Sequence, residues 1–204
     1  MHLILIHGQG RTSRSMRLLG WRLQRRGYTV QYFGYSTQRE RFADIRARLA
    51  AMLDQMGKPY AIIGHSLGGI LTRAALPQLA HAPEHLIMLG PPNNSPLLAR
   101  MLKDNPLYQR LTADCGQKLA DEEFYARLPR PSVPTTIVAG TAGPQGRWSP
   151  FGDSVNDGVV SVAETSLGPE YPTMLVPSIH TFIMNSAEVL PAIERILGPP
   201  RPRP

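Results

Sequence analysis

The stretch from Tyr60 to Ile70, which reads YAIIGHSLGGI, constrains this chain more than any other. Its apolar start, Tyr60 to Ile63, reads as a buried strand, and Leu67 to Leu79 has the spacing of a helix. Between them lies Gly64-His65-Ser66-Leu67-Gly68, the Gly-x-Ser-x-Gly pattern of a nucleophile elbow. So tight a turn forces the serine into a strained backbone conformation, and a Cβ two residues before or after it would strike the neighbouring strand or helix. The hydroxyl is thereby held at the sheet edge, at the N-terminus of a helix whose dipole favours negative charge. The plain alternative is a glycine-rich turn with an incidental serine. The strand and helix on either side speak against it.

The rest of the chain supplies a matching frame. His2 to Ile6, Tyr28 to Phe33, His85 to Leu89, Thr135 to Ala139 and Tyr171 to Val176 read as further strands. Arg14 to Arg26, Arg41 to Met56 and Thr181 to Leu197 carry helical spacing between them, the second closed by Gly57-Lys58-Pro59. Strands alternating with helices predict an α/β fold, a mostly parallel sheet of about six strands covered on both faces. A length of 204 residues suits one domain, residues 1–197, with a small, less regular insertion at 95–130 that carries short helical pieces around Leu97 to Leu102 and Asp121 to Leu128. The tail at 198–204 is rich in Pro and Arg and is expected to be disordered.

Composition narrows the function. No apolar run reaches the length of a membrane span, and a strand so close to Met1 leaves no room for a signal peptide. The single cysteine, Cys115, fits a reducing compartment, so a cytoplasmic location is expected. A net charge of +7 rests on arginines at 11–26 and 39–48 that read as solvated helix faces. No nucleic-acid module accompanies them, so solubility or transient attraction to anionic surfaces is expected rather than DNA or RNA binding.

A serine hydroxyl needs a base, and histidine has the appropriate pKa. In this architecture the chain order is Ser, then Asp or Glu, then His. Of the six histidines only His180, just past the last strand, follows both the elbow and every acid that could serve. Asp153, Asp157, Glu164 and Glu170 qualify as the acid by position. Asp157 is preferred because the apolar Val159-Val160 behind it would anchor a buried carboxylate, and Asp153 is the runner-up. Two aspartates four apart also suggest calcium, but an EF-hand's other ligands are missing, and no metal is expected. The tetrahedral intermediate of acyl transfer needs aimed donors. The backbone N–H of Leu67 and that of Gln9, in the His7-Gly8-Gln9-Gly10 loop after the first strand, are the candidates.

Five segments together resemble the α/β-hydrolase superfamily, in particular its compact bacterial lipases and esterases. They are His7-Gly8-Gln9-Gly10, Gly64-His65-Ser66-Leu67-Gly68-Gly69, Leu89-Gly90-Pro91-Pro92-Asn93-Asn94-Ser95-Pro96-Leu97, Asn156-Asp157-Gly158-Val159-Val160, and His180. One departure is Pro91-Pro92-Asn93, where such lipases often read Thr-Pro-His or Thr-Pro-Asn. The resemblance implies a minimal form of the fold, a Ser66–His180–Asp157 triad, and hydrolysis of carboxylic esters through an acyl-enzyme without a cofactor. It also implies that residues 95–130 form a small lid or cap. Within that insertion Leu97, Leu98, Met101, Leu102, Leu107, Tyr108 and Leu111 are apolar enough to line a site for an acyl chain. Leu97, Met101, Trp148, Phe151 and Phe182 are the candidate substrate contacts, with packing onto the sheet as the other reading of the leucines. A small cap favours short to medium acyl esters, with a small-molecule ester or lipid as the partner. A thioesterase or acyltransferase with the same triad, and a non-catalytic binding protein on the same frame, are the alternatives.

Overall fold

The computed structural model describes residues 1–56 and 59–199. Six strands form one sheet: β1 (His2–Ile6), β2 (Thr29–Phe33), β3 (Tyr60–His65), β4 (His85–Leu89), β5 (Thr135–Gly140) and β6 (Thr173–Val176). Their order across the sheet is β2-β1-β3-β4-β5-β6, and every neighbouring pair is parallel. Parallel strands need crossovers, and here these are α1 (Arg17–Arg25), α2 (Phe42–Asp54), α3 (Leu67–Ala75) and the longer excursion between β4 and β5. A short α7 (Val162–Thr165) and a closing α8 (Val189–Leu197) complete the set.

Alternation along the strands divides the core into two layers. Ile4, Ile6, Tyr60 and Ile62 face one side, where they pack with Ile45, Leu49 and Leu53 of α2 and with Ile70 and Leu71 of α3. Leu3, Leu5, Ala61 and Ile63 face the other, against Leu19 and Leu23 of α1 and Val189 and Ile193 of α8. Helix α3 is buried on all sides, as an apolar helix crossing the middle of a sheet must be.

Two features differ from the sequence-based expectation. Residues 95–130 are more regular than expected: the two short helical pieces are present as α4 (Leu97–Leu102) and α6 (Glu122–Arg127), and between them runs a longer helix, α5 (Pro106–Ala120). Asn105 caps α5 by accepting from the N–H groups of Leu107 and Tyr108, and Ala113 kinks it with a positive φ of 47°. The expected closing helix from Thr181 is two pieces, a 3-10 helix at His180–Asn185 and then α8. The expected stop at Gly57-Lys58 and residues 200–204 of the tail lie outside the described residues. Among the described residues no helix is long and apolar enough to cross a membrane.

Candidate active site

The site lies beyond the carboxyl ends of the strands, where open parallel sheets bind their ligands. At its centre Ser66 adopts φ 51° and ψ −122°, a sparsely populated conformation that costs roughly 1–3 kcal/mol for a non-glycine residue. Its N–H still donates to Leu89 O at 2.9 Å, so the strand ladder runs right up to the turn, and Gly69 N–H donates to Ser66 O to open α3. The glycines on either side make the turn possible. A Cβ on Gly64 would stand 2.7 Å from Gly69 N, and one on Gly68 would stand 2.7 Å from Ile6 O. Both obstacles are backbone, so no rotamer change relieves them.

His180 opens the 3-10 turn after β6 and is fixed at three points. Its N–H donates to Asp157 O at 2.8 Å, and its Nδ1 lies 2.7 Å from Asp157 Oδ2. Its carbonyl oxygen lies 3.1 Å from His65 Nε2. Asp157 is 1% exposed, and its other oxygen, Oδ1, accepts from the N–H groups of Val159 and Val160 at 2.9 and 2.7 Å. An ionised carboxylate can only accept, so His180 carries its proton on Nδ1 and leaves Nε2 as the free acceptor. The other acidic candidates lie elsewhere. Asp153 is exposed, and Glu170 pairs with Arg130 on the surface. Glu164 completes a capping box with Ser161 and accepts from Leu97 N–H at 2.6 Å.

The loop after β1 brings Gln9 to the same place. His7 holds this loop: it donates from Nδ1 to Gly8 O at 2.8 Å, accepts from Tyr35 N–H at 3.2 Å, and stacks on the Tyr35 ring at 4.0 Å. Leu67, as the first residue of α3, has no carbonyl one turn back for its own N–H. Gly8 lets the loop lie against the elbow, since a Cβ there would stand 2.8 Å from His65 Nδ1 and 3.0 Å from Ser66 Cβ.

Ser66 and His180 line one cavity of about 510 Å³, a usual size for a small-molecule site. Leu98, Ala99 and Leu102 of α4 wall it, with Leu111 and Leu119 of α5 and with Val159 and Val160 beyond Asp157. Of the apolar residues expected to line an acyl site, Leu98, Leu102, Tyr108 and Leu111 are in this lining, whereas Leu97, Met101, Trp148, Phe151 and Phe182 are not. Met101 is 63% exposed, Trp148 is 85% exposed with the Arg147 guanidinium stacked on it, and Phe182 borders a separate surface groove. Leu97 is half-buried beside α7, and Phe151 is buried within its own loop. Helix α4 has only six residues. Its apolar residues occupy every side, so spacing could not tell the Leu98–Leu102 face from the Leu97–Met101 face.

Arg73, which sequence reading passed over, supports the site together with Asn93 and His65. Arg73 sits 3% exposed in the last turn of α3, with no carboxylate partner among the described residues. Its guanidinium donates to Asn93 O and Oδ1, Leu128 O and Pro129 O, tying α3 to the loop after β4 and to the end of the excursion. Burial pulls its pKa down to about 10, which leaves it charged at neutral pH. An arginine inside the otherwise apolar LGGILTRAA run was the available signal. Asn93 passes the connection on, donating to Thr165 O at 2.8 Å. His65 is fully enclosed, its ring centroid 4.9 Å from that of His180 and its Nδ1 unpartnered. The lone thiol, Cys115, is buried and pushed up to about 12 by burial first and by Asp114 and Glu40 next, so it acts as packing.

Burial holds His65 well below its ordinary pKa, with the nearby His180 and Arg11 adding to the effect, and burial also lowers His7 and His85. These groups take up protons at lower pH in the folded state than in the unfolded chain, which does so below about pH 6.5. Stability is therefore fully present above that value and falls as pH drops toward the folded pKa values, by up to about 1.4 kcal/mol per pH unit for each group. The urea midpoint should drop between pH 7 and pH 5, with a shallower slope in His65→Gln. A midpoint unchanged over that range would contradict the assignment.

Comparison with known proteins agrees with this architecture. The sequence model of the alpha/beta hydrolase family matches residues 3–201. No curated protein gives a significant match. Among solved structures, the mature lipase BlEst2 of Bacillus licheniformis superposes with a TM-score of 0.73 at 22% identity, over 96% of this chain and 90% of that one. The NocB thioesterase domain from the nocardicin cluster gives 0.62 at 16% identity, over 97% and 93%. A pyrethroid hydrolase from Sphingobium faniae gives 0.61 at 14%, over 98% of both chains. The fold is thus shared by enzymes of several hydrolytic activities. This chain belongs to the alpha/beta hydrolase family.

Proposed function

We propose that the chain is a serine hydrolase that cleaves carboxylic esters of short to medium acyl length through an acyl-enzyme. The observation that carries the reading is the buried Asp157–His180 hydrogen bond set beside Ser66 on its strained turn, in one cavity. Nε2 of His180 takes the proton of Ser66 Oγ as that oxygen bonds to the ester carbonyl carbon. The N–H groups of Leu67 and Gln9 receive the resulting oxyanion. The C–O bond to the alcohol then breaks, the His180 proton leaves on the alcohol, and Ser66 remains acylated. Water repeats the sequence, giving its proton to His180 and freeing the acid and the serine. Asp157 keeps the imidazole in the working tautomer and balances its charge when protonated. No cofactor enters any step.

Helices α4 to α6 act as a small cap whose leucines receive the acyl chain. A cavity of about 510 Å³ holds a chain of several carbons but not a whole triglyceride. Hydrolysis of p-nitrophenyl esters from acetate to palmitate is the test. Activity should peak between butyrate and octanoate, and a fluorophosphonate should label Ser66 one-to-one with loss of that activity. Turnover of acyl-thioesters alone would assign the same machinery to a thioesterase, and no labelling of Ser66 would remove the catalytic reading.

A further inference from the structure

The catalytic cavity has two unlike ends. One is the leucine and valine wall. The other is polar and comes from the loops after β1 and β2: Gln9, Arg11 and Gln38, with Thr181 beside His180. Arg11 is the only charged side chain among the described lining residues, and no Asp or Glu lines the cavity with it. It is half-buried, and none of the ion pairs among the described residues involves it. Other exposed arginines on this chain do find carboxylates: Arg26 has Glu194, Arg48 has Glu40, and Arg100 has Glu122. Burial is the main cause that lowers His7 and His65, and the Arg11 charge adds to it in both, so the guanidinium lies within electrostatic reach of the elbow.

An unpaired guanidinium at the mouth of an apolar cavity needs an anion, and the planar fork suits a carboxylate or phosphate. The leucine wall is taken up by the acyl chain, and Arg11 lies on the loop that also offers Gln9 N–H to the oxyanion. The alcohol side of a bound ester is therefore the portion left to meet it. Resting on the ester-hydrolase reading above, we propose that this enzyme selects esters whose alcohol portion carries a fixed negative charge, a carboxylate or phosphate, and that Arg11 is the residue that recognises it. A partly desolvated, charge-assisted contact of this kind changes relative rates by on the order of tenfold and weakens as salt is added.

The test compares two butyrate esters that differ only in charge, those of 4-hydroxybenzoate and of methyl 4-hydroxybenzoate, with kcat/KM for each corrected by its rate of alkaline hydrolysis. The wild type should prefer the anionic ester, less so in 0.5 M salt. The preference should fall about tenfold in Arg11→Gln, reverse in Arg11→Glu, and survive in Arg14→Gln, an exposed neighbour outside the cavity. Because the readout is a ratio within each variant, a general loss of activity does not imitate the effect, and thermal melts establish that each variant is folded. A third substrate, p-nitrophenyl hemiglutarate, puts the anion on the acyl side. Equal treatment of the two butyrates, or a charge preference confined to the hemiglutarate, would overturn the proposal while leaving the hydrolase reading intact. A wild type inactive on all three esters would overturn both.

Discussion

Ser66→Ala should lower kcat by about 10⁶-fold with little change in KM, a loss on the order of 8 kcal/mol of transition-state stabilisation. The other hydroxyls of the lining, those of Tyr108, Thr112 and Thr181, do not stand on the elbow, and the lone thiol, Cys115, is outside the lining, buried and held protonated. The variant should fold as well as the wild type, because the strained φ of 51° is imposed by backbone packing at Gly64 and Gly68 and not by the hydroxyl. Combining it with His180→Ala should cost hardly more than either change alone, since a base without its nucleophile contributes nothing. Steady-state kinetics on the best p-nitrophenyl ester decide the matter. Loss of less than a hundredfold in Ser66→Ala would mean that another group, or water directly, attacks the ester.

Asp157→Asn should cost about 10⁴-fold in kcat for a different reason. Oδ1 is committed to the N–H groups of Val159 and Val160, so the new amide keeps its oxygen there and turns its NH₂ toward His180. A donor now faces Nδ1. The imidazole must move its proton to Nε2, and the nitrogen that should accept from Ser66 no longer can. The amide fits the same space, so the melting temperature should change little while activity collapses. Asp153→Asn, in an exposed position, should leave the rate near that of the wild type. If Asp153→Asn proved the damaging change, the loop would have to rearrange in solution and the roles would exchange.

The parts of this molecule readable from sequence are those where local chemistry and tertiary packing agree. Strand β4 runs from His85 to Leu89, as its apolar run indicates, and the other strands fall within two residues of expectation, because both sheet faces are covered and leave continuous apolar runs. The elbow was legible because a strand, two glycines and a helix converge on one serine. Asp157 against Asp153 was harder: only the local apolar anchor distinguished them, and the Asp157 contact with His180 spans 23 residues. Helix α5 was obscured by the backbone break at Ala113 and by its mixture of apolar and charged residues. The cavity wall was legible only in part: Leu98, Leu102, Tyr108 and Leu111 line it and Leu97 and Met101 do not, because short helices pack by tertiary context rather than by period. Arg73 was overlooked because its partners are mostly backbone carbonyls, which leave no mark in a sequence.

The placement of Arg73 bears on how such a protein changes. Ser66, Asp157 and His180 stand on loops after β3, β5 and β6, whereas the cavity wall comes mainly from the excursion between β4 and β5. Machinery and mould are thus separate stretches of chain, joined where Arg73 grips the carbonyls of Asn93, Leu128 and Pro129. These two fixed anchorages act as sockets, and the residues between them are a cartridge that can be exchanged while the sockets are kept. On the ester-hydrolase reading, replacing that one internal segment would change the substrate accepted without reopening the geometry of Ser66, His180 and Asp157.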